Sequence, residues 1–315
     1  MIEASSIEEL SLEKACVTIG SFDGVHRGHQ KLIENLKISA QEHNALSAVL
    51  TFFPHPAVVL KGVDTPFYLS SPYEKSKLLK ELGVDVLISI PFSRSLANKT
   101  PEEFMQSLSI HTGLKELVVG CGFTLGKNRS GDVSVLSSIG RKLGYKVNCI
   151  STEKVGDETI SSSSIRKMLE IGDVSSAAHS LGRYYEVEGI VIRGDGRGRT
   201  IGFPTANLDT FPQKILPAIG VYRCLTNVDG QVYLSVGNVG YRPTFTDNTK
   251  LVFVEIHLLD FKGDLYGKNL QVQFTHRLRG EVKFPSFEGL VYQIHSDIKA
   301  ARDVKDDPFS RSISA

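Results

Sequence analysis

Residues 15–30 read A-C-V-T-I-G-S-F-D-G-V-H-R-G-H-Q, and the fold follows from how that string is parsed. The small apolar run 15–19 has the character of a strand buried on both faces in a parallel sheet. Gly20, Gly24 and Gly28 then punctuate a turn, and Leu32, Ile33 and Leu36 fall at helical spacing. The stretch is therefore strand, glycine-rich turn, helix. That junction aims free backbone N–H groups and the positive end of a helix dipole at one point, which suits a phosphate. His26 and His29, three positions apart, share one face of a first helical turn and can donate hydrogen bonds as charge builds on phosphate oxygens. Taken singly, such a junction need bind nothing, and two histidines at this spacing also suit half a metal site or a plain surface. The string is neither a Walker loop, which needs Gly-Lys-Ser/Thr, nor the G-x-G-x-x-G dinucleotide fingerprint.

Composition sets the outer bounds. At 315 residues the chain has room for two domains, and 41% hydrophobic with 23% charged residues is the balance of a soluble globular protein. A net charge of +1 makes no electrostatic case for nucleic acid or an anionic membrane surface. No apolar run approaches the roughly 20 residues of a membrane-spanning helix. The acidic N-terminus lacks the pattern of a secretion signal. Cys16, Cys121, Cys149 and Cys224 are scattered without a C-x-x-C, so free buried thiols in a reducing cytoplasm are expected. Oligomeric state is not legible here.

Through the first half, strands and helices alternate. Apolar runs at 47–53, 84–90, 117–120 and 147–150 are strands; Ser70 or Ser71 caps a helix to Leu82, and Pro101 opens another. Right-handed crossovers then give a doubly wound parallel sheet. The chemistry-bearing strings fall at strand ends and helix starts along one edge. Pro54-His55-Pro56 makes a rigid loop at a strand's carboxyl end, where His55 is either a ligand contact or a structural residue. Residues 120–132 form a glycine-rich basic loop in which Lys127 and Arg129 can approach a phosphate. The serine run 161–164 is either a plain helix cap or, with Arg166 within reach, a second phosphate contact beside the opening motif.

From about Tyr184 short strands take over, at 187–192, 220–225, 232–236, 251–258 and 270–274, with Asp229-Gly230 a strong hairpin signal. They imply a small antiparallel barrel, closed by a helix carrying Phe287, Leu290, Val291, Ile294, Ile298 and Ala301. Two strings stand out. In G-D-G-R-G-R-T-I-G-F-P-T-A-N-L (194–208), Thr205 and Asn207 offer hard oxygens of the kind Mg²⁺ accepts. In F-V-E-I-H-L-L-D (253–260), Glu255 is a carboxylate inside an alternating apolar strand. It is either a base for a substrate hydroxyl or, with His257, a plain solvent-facing residue.

F-D-G-V-H-R-G-H matches the H-x-G-H signature of the α/β nucleotidyltransferases. G-F-P-T-A-N, N-V-G-Y-R-P-T-F, V-E-I-H-L-L-D-F, D-L-Y-G and R-G-E-V-K-F-P-S-F-E-G-L resemble the riboflavin kinases. With T-F-F-P-H-P and S-S-S-S-I-R, residues 15–302 resemble the prokaryotic bifunctional riboflavin kinase/FAD synthetase family. The resemblance implies an adenylylating domain over 1–180, a kinase domain over 183–306 and a tail over 307–315. It implies ATP, riboflavin and FMN as substrates, FMN and FAD as products, and Mg²⁺ held by Thr205 and Asn207. Glu255 and Asn207 would be catalytic in phosphorylation, His26 and His29 in adenylylation. Phosphate contacts would come from Gly20, Ser21, Phe22, Asp23, Gly28, Arg129, Ser162, Ser163 and Arg166, and in the barrel from Gly194, Arg197, Gly202 and Thr205. Flavin contacts would come from His55, Pro56, Tyr222 and Arg279. One departure stands out: where the family carries Asp or Asn and then Phe, this chain has Gly122 and Leu125. The alternative that follows is a kinase whose adenylylation is slow or lost. A non-catalytic flavin-binding regulator fits less well, since every catalytic residue type is in place.

Overall fold

The computed structural model describes residues 1–63, 65–151, 154–155, 158–194, 198, 202–242, 251–304 and 309. They form two compact units, Met1–Ser162 and Ser163–Ala315.

The first unit is a six-stranded sheet in the order β1-β4-β3-β2-β5-β6, with every pairing parallel. Its strands are β1 (Ile2–Ala4), β2 (Ala15–Ile19), β3 (Leu46–Phe53), β4 (Val86–Pro91), β5 (Leu114–Gly120) and β6 (Lys146–Ile150). Between them run α1 (Arg27–Glu42), α2 (Pro56–Lys61), α3 (Pro72–Glu81), α4 (Arg94–Ala97), α5 (Pro101–Thr112) and α6 (Val133–Leu143). A two-stranded ladder, β7 (Lys154–Val155) with β8 (Glu158–Thr159), follows. All five residues of β2 are buried because successive side chains serve opposite faces. Ala15, Val17 and Ile19 pack with Phe104, Leu108 and Leu136 on the α5–α6 side; Cys16 packs with Ile33, Leu36 and Leu79 on the α1–α3 side. Capping boxes set two helix starts: Ser71 with Glu74 for α3, and Thr100 with Glu103 for α5, each with proline in the first turn.

The second unit opens with α7 (Ser162–Glu170), whose first residue still counts with the first unit, and α8 (Val174–Leu181). Its sheet closes on itself in the order β10-β13-β12-β11-β14-β9, antiparallel throughout. The strands are β9 (Tyr185–Ile192), β10 (Ala206–Thr210), β11 (Gly220–Val228), β12 (Gln231–Arg242), β13 (Leu251–Leu258) and β14 (Asn269–Arg279). Closure removes every exposed strand edge. The β11–β12 hairpin turns at Asp229 (φ 52°) and Gly230 (φ 90°), the double positive φ of a tight I′ turn. A closing helix, Phe287–Asp303, lies against β11, β12 and β14. β10 was not legible as a strand, since Asn and Asp are depleted in strands; pairing on both sides to β9 and β13 overrides that preference.

Candidate active sites

In the first unit the chain leaves β2 for β3 and β4 on one side and returns to β5 on the other, so strand order reverses at β2. Open α/β sheets bind ligands at the carboxyl end of that point, and the glycine-rich turn occupies it here. Phe22 (φ 47°), Gly24 (φ 79°) and Val25 (φ 39°) all have left-handed backbone. Non-glycine residues hold that conformation only where their surroundings enforce it. The enforcement is visible. Phe22 is wholly buried, and the Asp23 carboxylate, also wholly buried, accepts from the Leu69 N–H at 3.0 Å and the Ser70 N–H at 3.2 Å. The Gly24 N–H donates to Ser70 Oγ at 3.1 Å, and Ser162 Oγ donates to the Asp23 carbonyl at 2.9 Å. Lys75 Nζ and Thr51 Oγ1 both donate to the Ser21 carbonyl, at 2.7 and 3.0 Å.

Two of the expected phosphate contacts also hold the turn together. Asp23 braces the turn; its charge would repel a phosphate, and its oxygens take backbone donors. Ser162 spends its hydroxyl on that brace. Gly20 is held by its N–H donating to the Leu50 carbonyl at 3.0 Å, and Gly28 lies in the first turn of α1, among its free N–H groups. Ser163 and Arg166 follow on α7.

His26 is the N-cap of α1. Its Nδ1 accepts from the His29 N–H at 3.4 Å, which leaves the proton of a neutral ring on Nε2. The two imidazoles stack at 3.7 Å between centroids and 17° between planes, with the Phe22 ring 5.0 Å from His29. Beneath the turn Lys75 is only 5% exposed, and burial pushes its pKa down to about 8 against the opposing pull of Asp23. Nothing in P-Y-E-K marked this lysine from sequence.

Beside the turn lies a cleft of about 390 Å³ walled by Ile19, Phe52, Phe92, Phe104, Phe123 and Leu125, with Lys99, Lys127 and Arg129 also lining it. Arg129 donates through Nε to Thr124 Oγ1 at 2.9 Å. Pro56 lines the cleft. His55 is the N-cap of α2, its Nδ1 accepting from the Ala57 N–H at 3.0 Å. The aromatic wall was missed, although Phe52, Phe92 and Phe123 stand at or just past the carboxyl ends of β3, β4 and β5, the edge that should have been searched. Gly122 is exposed, and a Cβ there would meet nothing within 4 Å. A further correction concerns the thiols: Cys121 and Cys149, expected free, form a disulfide joining the ends of β5 and β6, while Cys16 and Cys224 are free and buried.

In the barrel, register decides the geometry. Glu255 on β13 stands opposite Asn207 on β10 and opposite Asn238 on β12, making a polar row across three strands. Val254, Ile256 and Leu258 turn into the core, so Glu255 and His257 take the other face. That face is covered, not open: Thr205, Asn207, Asn238, Glu255 and His257 line a cavity of about 480 Å³ whose far wall is Val282, Phe284, Leu290, Ile294 and Ile298. Two glycines before β10, Gly194 and Gly198, come close to this row. A Cβ on Gly194 would fall 2.2 Å from Asn207 Nδ2, and one on Gly198 would fall 2.4 Å from the Phe203 carbonyl oxygen and 3.2 Å from Thr205 Oγ1, so glycine is needed at both. Gly202 turns with φ 87°, and His257 Nδ1 lies 2.8 Å from the Pro204 carbonyl. Arg197 falls outside the described residues.

Arg279 lines the cavity, but its guanidinium is engaged in a two-point pair with Asp297 of the closing helix, at 2.9 and 2.8 Å. Tyr222 is corrected: it is wholly buried, its hydroxyl donates to the Ala218 carbonyl and its ring meets Phe274 edge-on, while its neighbour Val221 lines the cavity.

Comparison with known proteins agrees with this division. A FAD synthetase family model matches residues 8–164, and a riboflavin kinase family model matches residues 181–305. The bifunctional riboflavin kinase/FMN adenylyltransferase of Bacillus subtilis is 39% identical over 292 residues, which span 91% of this chain and 92% of that protein. That of Haemophilus influenzae is 36% identical over 293 residues, 92% and 94% of the two chains. A crystal structure from Streptococcus pneumoniae, described as a macrolide-efflux protein, aligns with TM-score 0.88 at 29% identity over 96% of this chain and 99% of that one. Among the described residues no helix is long and apolar enough to cross a membrane. With both halves matched in order along nearly the whole length, the chain belongs to the bifunctional riboflavin kinase/FMN adenylyltransferase family.

Proposed function

We infer that the chain makes FMN from riboflavin in its barrel and FAD from FMN in its parallel-sheet unit, with ATP consumed in each step. We assign 1–180 to adenylylation and 183–306 to phosphorylation. The observation that carries the reading is the Asn207–Glu255–Asn238 row, which Gly194 approaches closely at Asn207 and which faces an apolar wall. A flat hydrophobic ring suits the wall, and a phosphoryl transfer suits the row.

In the kinase step Glu255 accepts the proton of the riboflavin 5′-hydroxyl as that oxygen attacks the γ-phosphorus. The bond from the γ-phosphorus to the bridging oxygen breaks and ADP leaves. Thr205 and Asn207 are hard oxygen donors, Asn207 closely approached by Gly194 and Thr205 by Gly198, so they fit Mg²⁺ arriving with the nucleotide. Bound there, the ion supplies charge neutralisation on the phosphates. The remaining contribution is positioning by a fixed set of strands.

In the adenylyl step an oxygen of the FMN phosphate attacks the α-phosphorus of a second ATP, and pyrophosphate leaves. FMN is already anionic, so no strong base is needed. His26 and His29 donate to oxygens that gain charge. The aromatic cleft suits the isoalloxazine ring, and Lys99, Lys127 and Arg129 on its lining suit the FMN phosphate. ATP as co-substrate supports a cytoplasmic location, although the Cys121–Cys149 bond departs from the thiol chemistry usual there.

A chromatographic time course with ATP and Mg²⁺, started once from riboflavin and once from FMN, tests the reading. FAD from both starts is expected. An FMN start that gives no FAD would overturn the adenylyl assignment, and a riboflavin start that gives no FMN the kinase one.

A further inference from the structure

At the end of the parallel sheet opposite the glycine-rich turn, three ligand-type side chains converge. Cys16 on β2 is in register with Glu116 on β5, and His43, the C-cap of α1, reaches over both. One ligand atom from each lies within 4.8 Å of the others. Cys16 is wholly buried and Glu116 is 8% exposed, while the His43 side chain is 29% exposed. From Cys16 to Gly20 the strand carries the chain about 13 Å, so the cluster is separate from the turn. Neither transfer proposed above uses it.

Its geometry suits a small tetrahedral ion. Nitrogen and oxygen ligands each about 2.0–2.1 Å from zinc stand about 3.3 Å apart. His43 Nε2 and Glu116 Oε2 already stand 3.2 Å apart. The donor set is a thiolate, an imidazole and a carboxylate, which favours Zn²⁺ and discriminates against the all-oxygen ion Mg²⁺.

We propose that Cys16, His43 and Glu116 form a Zn²⁺ site that clamps β2, β5 and the end of α1, with water as the fourth ligand. Binding converts the Cys16 thiol to a thiolate and releases its proton to solvent.

Cobalt replaces zinc at such sites and reports thiolate ligation directly. Titrating the full chain with Co²⁺ at saturating Mg²⁺, without reductant so that Cys121–Cys149 stays closed, should give a thiolate-to-cobalt charge-transfer band at one equivalent. Zn²⁺ should bleach it and raise Tm. The Cys16→Ser variant should lose the band and the Tm rise; His43→Ala should lose the Tm rise. The histidine pair of the turn cannot produce a thiolate band. Absence of the band in the wild-type chain, or its survival in Cys16→Ser, overturns the proposal. Should Cys16→Ser not fold, wild-type bands in both His43→Ala and Glu116→Gln overturn it equally.

Discussion

Gly194 is a residue where one methyl group separates a working site from a displaced one. Its Cβ would lie 2.2 Å from Asn207 Nδ2, a distance no real contact tolerates, so Gly194→Ala must push Asn207 out of the row with Glu255. A displacement near 1 Å at such a site costs about a hundredfold in rate. FMN formation from riboflavin should fall by that order while FAD formation from FMN stays at the wild-type rate; equal losses in both would show a general folding defect. Lys75 makes a different prediction. The folded chain binds its proton less tightly than the unfolded chain does, with a pKa near 8 against an ordinary 10.5. Above pH 8 the unfolded state therefore holds more protons, so stability rises as pH climbs from 8 to 10. The shift corresponds to about 3 kcal/mol at most, expressed fully only once both states are deprotonated. In Lys75→Met the rise disappears while Thr51 still bonds the Ser21 carbonyl. Urea midpoints at pH 7.5 and 9.5 for the two proteins measure it, and parallel curves would refute it.

At the scale of elements, the glycine-rich turn depends on the segment before α3. Asp23 takes two backbone N–H groups from Leu69 and Ser70, and Ser70 takes the Gly24 N–H in return. Hydrogen bonds to a charged group contribute about 1.5–3 kcal/mol each. Asp23→Ala should therefore lower unfolding free energy by at least about 2 kcal/mol and slow FAD formation, with FMN formation unaffected. A urea titration beside the two rate assays reads all three, and wild-type stability would show that the brace is dispensable. This brace also shows what sequence reading could reach. The strand, turn and helix around residues 15–42 were legible because a buried strand and a helix have different periods, and Ser71 and Pro101 announced their helices. The barrel was legible from short alternating strands and the Asp229-Gly230 turn. Asp23 was legible only as part of a motif, since its partners stand 46 and 47 positions away and no local pattern distinguishes a brace from a ligand. Tyr222 failed for a related reason. In a closed barrel alternate residues face inward, and G-V-Y alone does not fix which of Val221 and Tyr222 takes the core. Lys75, the phenylalanine wall and the Cys121–Cys149 bond depend on long-range contacts, which a lone sequence does not encode in any window.

For the whole molecule, two sites in two compact units raise the question of whether one chain must carry FMN from one to the other. Each unit has its own sheet and core, and each candidate site draws its walls from one of them. Removing the barrel's base by Glu255→Gln should slow FMN formation by about 10²–10⁴, the usual share of a general base. Removing an imidazole by His29→Ala should slow FAD formation by about a hundredfold or more, the cost of one donor to developing charge. Neither variant alone should convert riboflavin to FAD at a useful rate. If FMN is released between the steps, an equimolar mixture of the two variants restores the conversion, with a lag while free FMN accumulates and a rate that falls on dilution. Chromatographic detection of FMN before FAD in the mixture would establish that order. A mixture that makes FMN but no FAD, from variants that each retain their unmutated step, would instead mean that both reactions depend on intact sites within one chain.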